Sequence, residues 1–269
     1  MPKNLFLAIP SLLSLMLLTS ACDKAPSFAD LCNDNPQICN EFKEDSWCKK
    51  ERIDVGFANL AHQNNSSDIE KFNQLISYEN YAQCMNHASK IEHIKFKDKQ
   101  TMRITNVIKA KQKIKDISKA TESSKHPSLL YYHWSRYLNK DALQTFLDLE
   151  STNKLETPEL QFNLATYYAK RDQSKTLKLL YHALELSKKD DVINTEIFKS
   201  IATIFADKKK YTQVYIWSQI LATHSPEDES IKHVNLQSYA QTFNLDQEFL
   251  DTVALKTLDS IVNGQFKTP

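Results

Sequence analysis

Leu164-Ala165-Thr166-Tyr167-Tyr168-Ala169 returns thirty-seven residues later as Ile201-Ala202-Thr203-Ile204-Phe205-Ala206. The polar turn Lys170 to Gln173 recurs as Asp207 to Lys210, and Leu177, Leu180 and Leu184 recur as Val214, Trp217 and Leu221. Leu236-Gln237-Ser238-Tyr239-Ala240 with Phe243 continues the series thirty-eight residues on, and a less regular pair, about Pro127 to Asn139 and Asp141 to Glu150, precedes it. Apolar residues at three- and four-residue steps describe one buried helix face. A unit of this length repeated at a fixed period cannot cover that face alone, so the spacing predicts antiparallel helical hairpins stacked as a solenoid. Composition agrees: there are two glycines, Gly56 and Gly264, in 269 residues. Hairpin turns, bulges and phosphate loops depend on glycine, so the expected fold class is all-α.

Working toward the N-terminus, Met102, Ile104, Val107, Ala110, Ile114 and Ile117 predict an amphipathic helix from about Lys99 to Thr121, ended by Ser123-Ser124-Lys125-His126-Pro127. Before it, Asp45 suits the N-cap of a helix to about Ala61, and Ser66 or Ser67 that of a second to about His93, with Gln63-Asn64-Asn65 as the turn. Cys48 and Cys84 stand about fifteen and nineteen residues from that turn, so antiparallel helices bring them to similar heights. Of the three possible pairings, Cys48 with Cys84 is preferred, leaving Cys32 with Cys39 across Asn33-Asp34-Asn35-Pro36. No Cys-x-x-Cys spacing exists, so no metal is expected.

At the start, Lys3 precedes an apolar run from Leu5 to Leu18, fourteen residues, too short to span a hydrocarbon core of about 30 Å. Leu18-Thr19-Ser20-Ala21-Cys22 follows and resembles the bacterial lipobox, with Thr19 where leucine is usual. The resemblance implies cleavage before Cys22 and acylation of its thiol and amine, a stable membrane anchor. It also implies a periplasm-facing protein in which the four cysteines beyond Cys22, an even number, fit an oxidising compartment. Asp23 resembles the inner-membrane retention signal of enteric lipoproteins, while Lys24 beside it leaves the choice of inner or outer membrane open. The expected organisation is a signal peptide over 1–21, a lipidated tether over 22–31, a cysteine-containing helical region over 32–125 and helical repeats over 126–269.

Two family resemblances follow from these residues. Phe198, Ile201, Ala202, Phe205, Val214, Leu221 and Pro226 resemble the packing positions and terminal proline of tetratricopeptide repeats, although the preceding copy has Gln161 and Lys189 at two of those places. Leu31-Cys32-Asn33-Asp34-Asn35-Pro36 with Cys39, then Asp45-Ser46-Trp47-Cys48-Lys49-Lys50-Glu51, resembles the opening of an uncharacterised lipoprotein family of marine gammaproteobacteria. The first implies a partner-binding inner face on each hairpin's first helix: Glu159, Phe162, Thr166, Lys170, Glu196, Lys199 and Thr203. The second implies an address and no reaction.

For chemistry, the missing glycines exclude the nucleophile elbow, the P-loop and the dinucleotide fingerprint, and no histidine pair forms H-E-x-x-H. No catalytic residue and no cofactor is expected. Formal charge is +1, which predicts no nucleic-acid partner. Residues 95–125 nevertheless carry ten Lys or Arg against Asp98, Asp116 and Glu122, so Lys109, Lys113, Lys115 and Lys119 are candidates for contact with an anionic surface. Asp190-Asp191 and Glu227-Asp228-Glu229 read as helix caps. The expected function is a membrane-tethered scaffold for another envelope protein. The alternatives are an envelope enzyme or receptor with a motif-less site, and an anchor holding lipid or cell-wall polymer through helix 99–121.

Overall fold

The computed structural model describes residues 27–91 and 97–268, and among them every regular element is helical. Cys22 and the leader lie outside the described residues. The first helix, α1 (Phe28–Asp34), is started by a reciprocal capping box between Ser27 and Asp30. Its Leu31 is buried, so the tether expected over 22–31 ends before Phe28. Next come α2 (Pro36–Cys39), α3 (Lys49–Asn64), α4 (Asp68–Ser89) and α5 (Lys97–Ala120). Both α3 and α5 pack on α4. Disulfides join Cys32 to Cys39 and Cys48 to Cys84, with Cα separations of 5.4 and 5.9 Å.

Asp45 does not cap α3, which begins at Lys49. Its Oδ1 accepts from the Trp47 N–H at 2.8 Å, and its Oδ2 accepts from Arg103 Nε at 2.8 Å. Arg103 is 1% exposed and also donates Nη1 to the Ala88 carbonyl at 2.7 Å. A guanidinium buried this deeply demands an anion, and that demand outweighs a local cap. Burial pushes the Asp45 carboxyl up, but the bonds from Arg103 and the Trp47 N–H outweigh it and hold it below the usual carboxylate range. The expected stripe of α5 otherwise holds, with Ile114 and Ile117 packed on the same core as Val107 and Ala110, and Ile104 gives way to Arg103. Arg103, Asn106, Val107 and Ala110 are inside, while Ile104 is 46% exposed.

From α6 onward the helices alternate in antiparallel pairs: α6 (Pro127–Tyr137) with α7 (Lys140–Asp148), α8 (Pro158–Tyr168) with α9 (Gln173–Leu186), and α10 (Glu196–Asp207) with α11 (Tyr211–His224). The short α12 (Leu236–Thr242) and long α13 (Gln247–Val262) both pack on α11. Proline at the first turn starts α6 and α8, and Asn139, Thr157, Asp172, Asn235 and Asp246 cap their helices by side-chain acceptance. The repeated apolar positions form the core: Leu180, Leu184, Phe198, Ile201, Trp217 and Leu221 share one cluster. Each such buried side chain contributes roughly 1.5–3 kcal/mol.

Asp191 and Asp228 cap turns rather than helices: Asp191 accepts from the Lys188 N–H, and Asp228 from Ser230 and Lys199. With few glycines to spend, the chain takes the left-handed conformation at Leu138, Lys209 and Asn244, each just after a first helix, and at Asp190. Gly264, at φ +66°, sits so close to Lys188 and Lys189 that a Cβ would stand 2.8 Å from the Lys189 nitrogen.

Candidate functional site

The first helices α6 and α8 lie side by side, and their outer faces carry rings instead of the polar residues usual on an exposed surface. Tyr131 and Trp134 project from α6 with ring centroids 5.4 Å apart, and Trp134 meets Tyr167 of α8 at 5.6 Å. The Arg171 guanidinium covers the Tyr167 ring at 4.2 Å, a cation–π contact. Tyr131 and Thr166 hydroxyls bond across the two helices at 2.7 Å. Tyr131, Trp134 and Tyr167 are half-buried, while the exposed Tyr137 at the end of α6 turns instead toward Ser118 of α5 and His133.

Thr166 and Lys170, expected on the inner face, stand on this aromatic run, both exposed. Phe162 does not serve as an exposed anchor, because it packs against the core cluster around Leu180 and Ile197. Lys199 is engaged by Glu196 Oε1 at 2.5 Å and by Asp228 Oδ2 at 2.9 Å, an ion triad tying α10 to the loop after α11. Thr203 is exposed beside it, its hydroxyl donating to the Lys199 carbonyl. The seven expected residues therefore do not form one face.

Glu159 lies apart, in a cleft of about 770 Å³ at the N-terminal ends of α4, α6 and α8, closed on the far side by Val192 and Asn194. Its side chain is exposed at the rim, and partial loss of water against the cleft moves its carboxyl upward from the ordinary carboxylate value. His126 lines the same cleft, and burial lowers its imidazole against the pull of Asp68. Both groups are thus shifted toward their neutral forms.

The four lysines of α5 divide. Lys109 Nζ donates to the Glu41 carbonyl at 3.4 Å, and Lys113 Nζ stands 3.2 Å from Glu41 Oε1. Lys115 and Lys119 line a separate hollow of about 240 Å³ with His133 and Tyr137. Steps of six residues turn about 240° around a helix, so Lys109 and Lys115 face different ways and no single basic surface exists.

The rings of the repeats divide between the core and this run. Tyr132, Tyr215 and Trp217 are indeed buried, but Tyr131, Trp134 and Tyr167 are not. The signal was available: Tyr131 precedes Thr166 by thirty-five residues, close to the repeat period, so the face assigned to α8 extends back onto α6.

Among the described residues no helix is long and apolar enough to cross a membrane. The chain belongs to the family described as Protein of unknown function (DUF2989), which matches residues 19–219, ending within α11. No curated protein and no solved structure matches it.

Proposed function

We propose that this member of the DUF2989 family is a non-catalytic scaffold of the bacterial envelope, held at a membrane by lipid on Cys22 and docking a partner protein on the first-helix face of tetratricopeptide-like hairpins. The observation that carries the reading is the half-exposed run Tyr131, Trp134 and Tyr167 with Arg171 over it. Aromatic side chains and arginine supply most of the affinity of protein interfaces, because they bury large area at little loss of rotamer freedom. Tyr131 also packs on Phe146 and ties α6 to α8, so the rings that a partner would cover are chiefly Trp134 and Tyr167. The lipobox-like segment ending at Cys22, the two disulfides and the likeness of Leu31 to Glu51 to marine gammaproteobacterial lipoproteins support the address.

A photocrosslinking residue placed at Tyr167 in living cells is expected to yield one discrete adduct. The same residue at Lys178, exposed on α9, is expected to yield none. Equal adducts from both positions, or none from Tyr167, would refute the docking face. Separately, Cys22→Ser is expected to leave an uncleaved precursor without lipid, and normal processing of that variant would refute the anchor.

A further inference from the structure

The N-terminal region holds a second concavity that the scaffold reading leaves unused: a groove of about 800 Å³ floored by α4, walled by α3 and α5, and closed at one end by the segment following α2. Its polar groups are organised. Glu41 Oε2 accepts from the Tyr78 hydroxyl at 2.8 Å and from Asn59 Nδ2 at 3.0 Å, and Gln74 Nε2 donates to Asn59 Oδ1 at 2.8 Å. Tyr78 and Gln74 are buried, so the chain of bonds fixes Glu41 rigidly at the mouth of a dry floor.

Two buried atoms of the lining are left without a hydrogen bond, Glu41 Oε1 and His62 Nδ1. Lys113 Nζ stands at ion-pair distance from Glu41 Oε1 but out of line for a hydrogen bond. Folded chains rarely leave such atoms unmet unless something else supplies the partner.

The lining also limits what that partner is. Lys109 and Lys113 are balanced by Glu41 and Asp116, so neither an anion nor a cation gains on entering. What remains is amide: Gln37 and Gln63 each present a donor and an acceptor side by side, while Asn59, Gln74 and Gln112 are tied into the lining through Glu41, Tyr78 and Asp116. Ile38 and Ile117 add small apolar patches. We infer that the groove binds a short chain of N-acetylated hexosamine units. An acetamido group presents one N–H and one C=O, the complement of a glutamine side chain. Ring hydroxyls both donate to Glu41 Oε1 and accept from Lys113, and the C–H faces of the ring meet the isoleucines.

The test is calorimetric titration of the full-length, disulfide-intact protein in detergent with a soluble N-acetylglucosamine trimer, and with maltotriose as the trimer lacking acetamido groups. Saturable binding of the first is expected, tighter than the second. Glu41→Gln is expected to weaken it about tenfold, the scale of a lost charge-assisted hydrogen bond. Gln112→Ala removes a side chain that is exposed and bonds only Asp116, so it tests the groove with the fold intact, and weaker binding is expected there too. Lys115→Met, on the other side of α5, is expected to bind as the parent does. No saturable binding of the trimer, equal or tighter binding of maltotriose, or undiminished binding by both groove variants would overturn the assignment.

Discussion

The two halves of the molecule reach stability by opposite means. From α1 to α5 an apolar core around Phe42, Tyr81, Met85 and Val107 is interrupted by polar and covalent ties: a buried ion pair, Asp45 with Arg103, two disulfides, and the Glu41–Tyr78–Asn59–Gln74 chain. From α6 to α13 it is apolar and periodic, with Leu180, Phe198, Ile201 and Trp217 in one cluster. A periodic apolar core tolerates change in proportion to the volume lost. A polar one fails when a single partner goes, because the other is left charged in a dry site. The difference teaches where covalent bonds are useful: at the end where packing alone does not fix the register.

The sharpest way to break this comparison is to remove one centre from each half. Arg103→Ala is expected to destabilise by about 3–5 kcal/mol, by stranding Asp45. Phe198→Ala is expected to cost a similar amount, about 3–5 kcal/mol, through a cavity. Amide hydrogen exchange read by region should show the first loosening α3 to α5 and the second loosening α8 to α11. Uniform loss of protection in either variant would show the halves to be one cooperative unit.

Next in size, replacing both Cys48 and Cys84 by Ala should lower stability by about 2–4 kcal/mol. The Cys32 and Cys39 double variant should lose about 1 kcal/mol less, since its loop is shorter, 7 residues of separation against 36. Denaturant titration of the two double variants measures the gap, and equal losses would mean that loop length is not what the bonds restrain. Smaller still, Asp172→Ala removes the acceptor for the Lys175 N–H at the start of α9 and should cost about 1 kcal/mol by thermal unfolding.

The mildest probe is pH, and its sign differs between regions. Burial lowers the imidazoles of His126 and His133, so their contribution is intact above the ordinary value of 6.5 and is lost as pH falls through it. His182 is also disfavoured as a cation by burial, but bonds to Glu156 and Glu185, at 2.7 and 3.3 Å, outweigh that and raise it. Its contribution is present below 6.5 and is lost as pH rises through the folded value. Acidification from about pH 8 to about pH 5 should therefore loosen the contact of α6 with α5 while tightening α9 on the loop before α8. Exchange rates moving together in both places would remove the distinction.

What was legible in the sequence tracks the same division. Helix positions, the register of Leu164 with Ile201, and the meeting of Cys48 with Cys84 all follow from local period and helix rise. The partnership of Asp45 with Arg103 joins residues 58 apart, and no local rule foretells it: Asp45 has every property of a cap and Arg103 every property of a surface residue. Arg103 takes the inward place on α5 that the apolar stripe assigned to Ile104, which is left exposed, while Val107, Ala110, Ile114 and Ile117 keep theirs. The aromatic run escaped for another reason, since composition cannot tell a ring inside a seam from one on its rim. The lysines of α5 were grouped by abundance, whereas their angular positions separate them.

The left-handed corners at Leu138, Lys209 and Asn244 amount to an unspent reserve. A side chain in that conformation carries strain of roughly 1–2 kcal/mol, partly offset by the unfolded-state entropy that glycine adds, so each conversion to glycine should gain of order 0.5–1 kcal/mol. A lineage drifting toward warmer habitats, or a laboratory seeking a hardier variant, has three corners to relax before touching any packed residue.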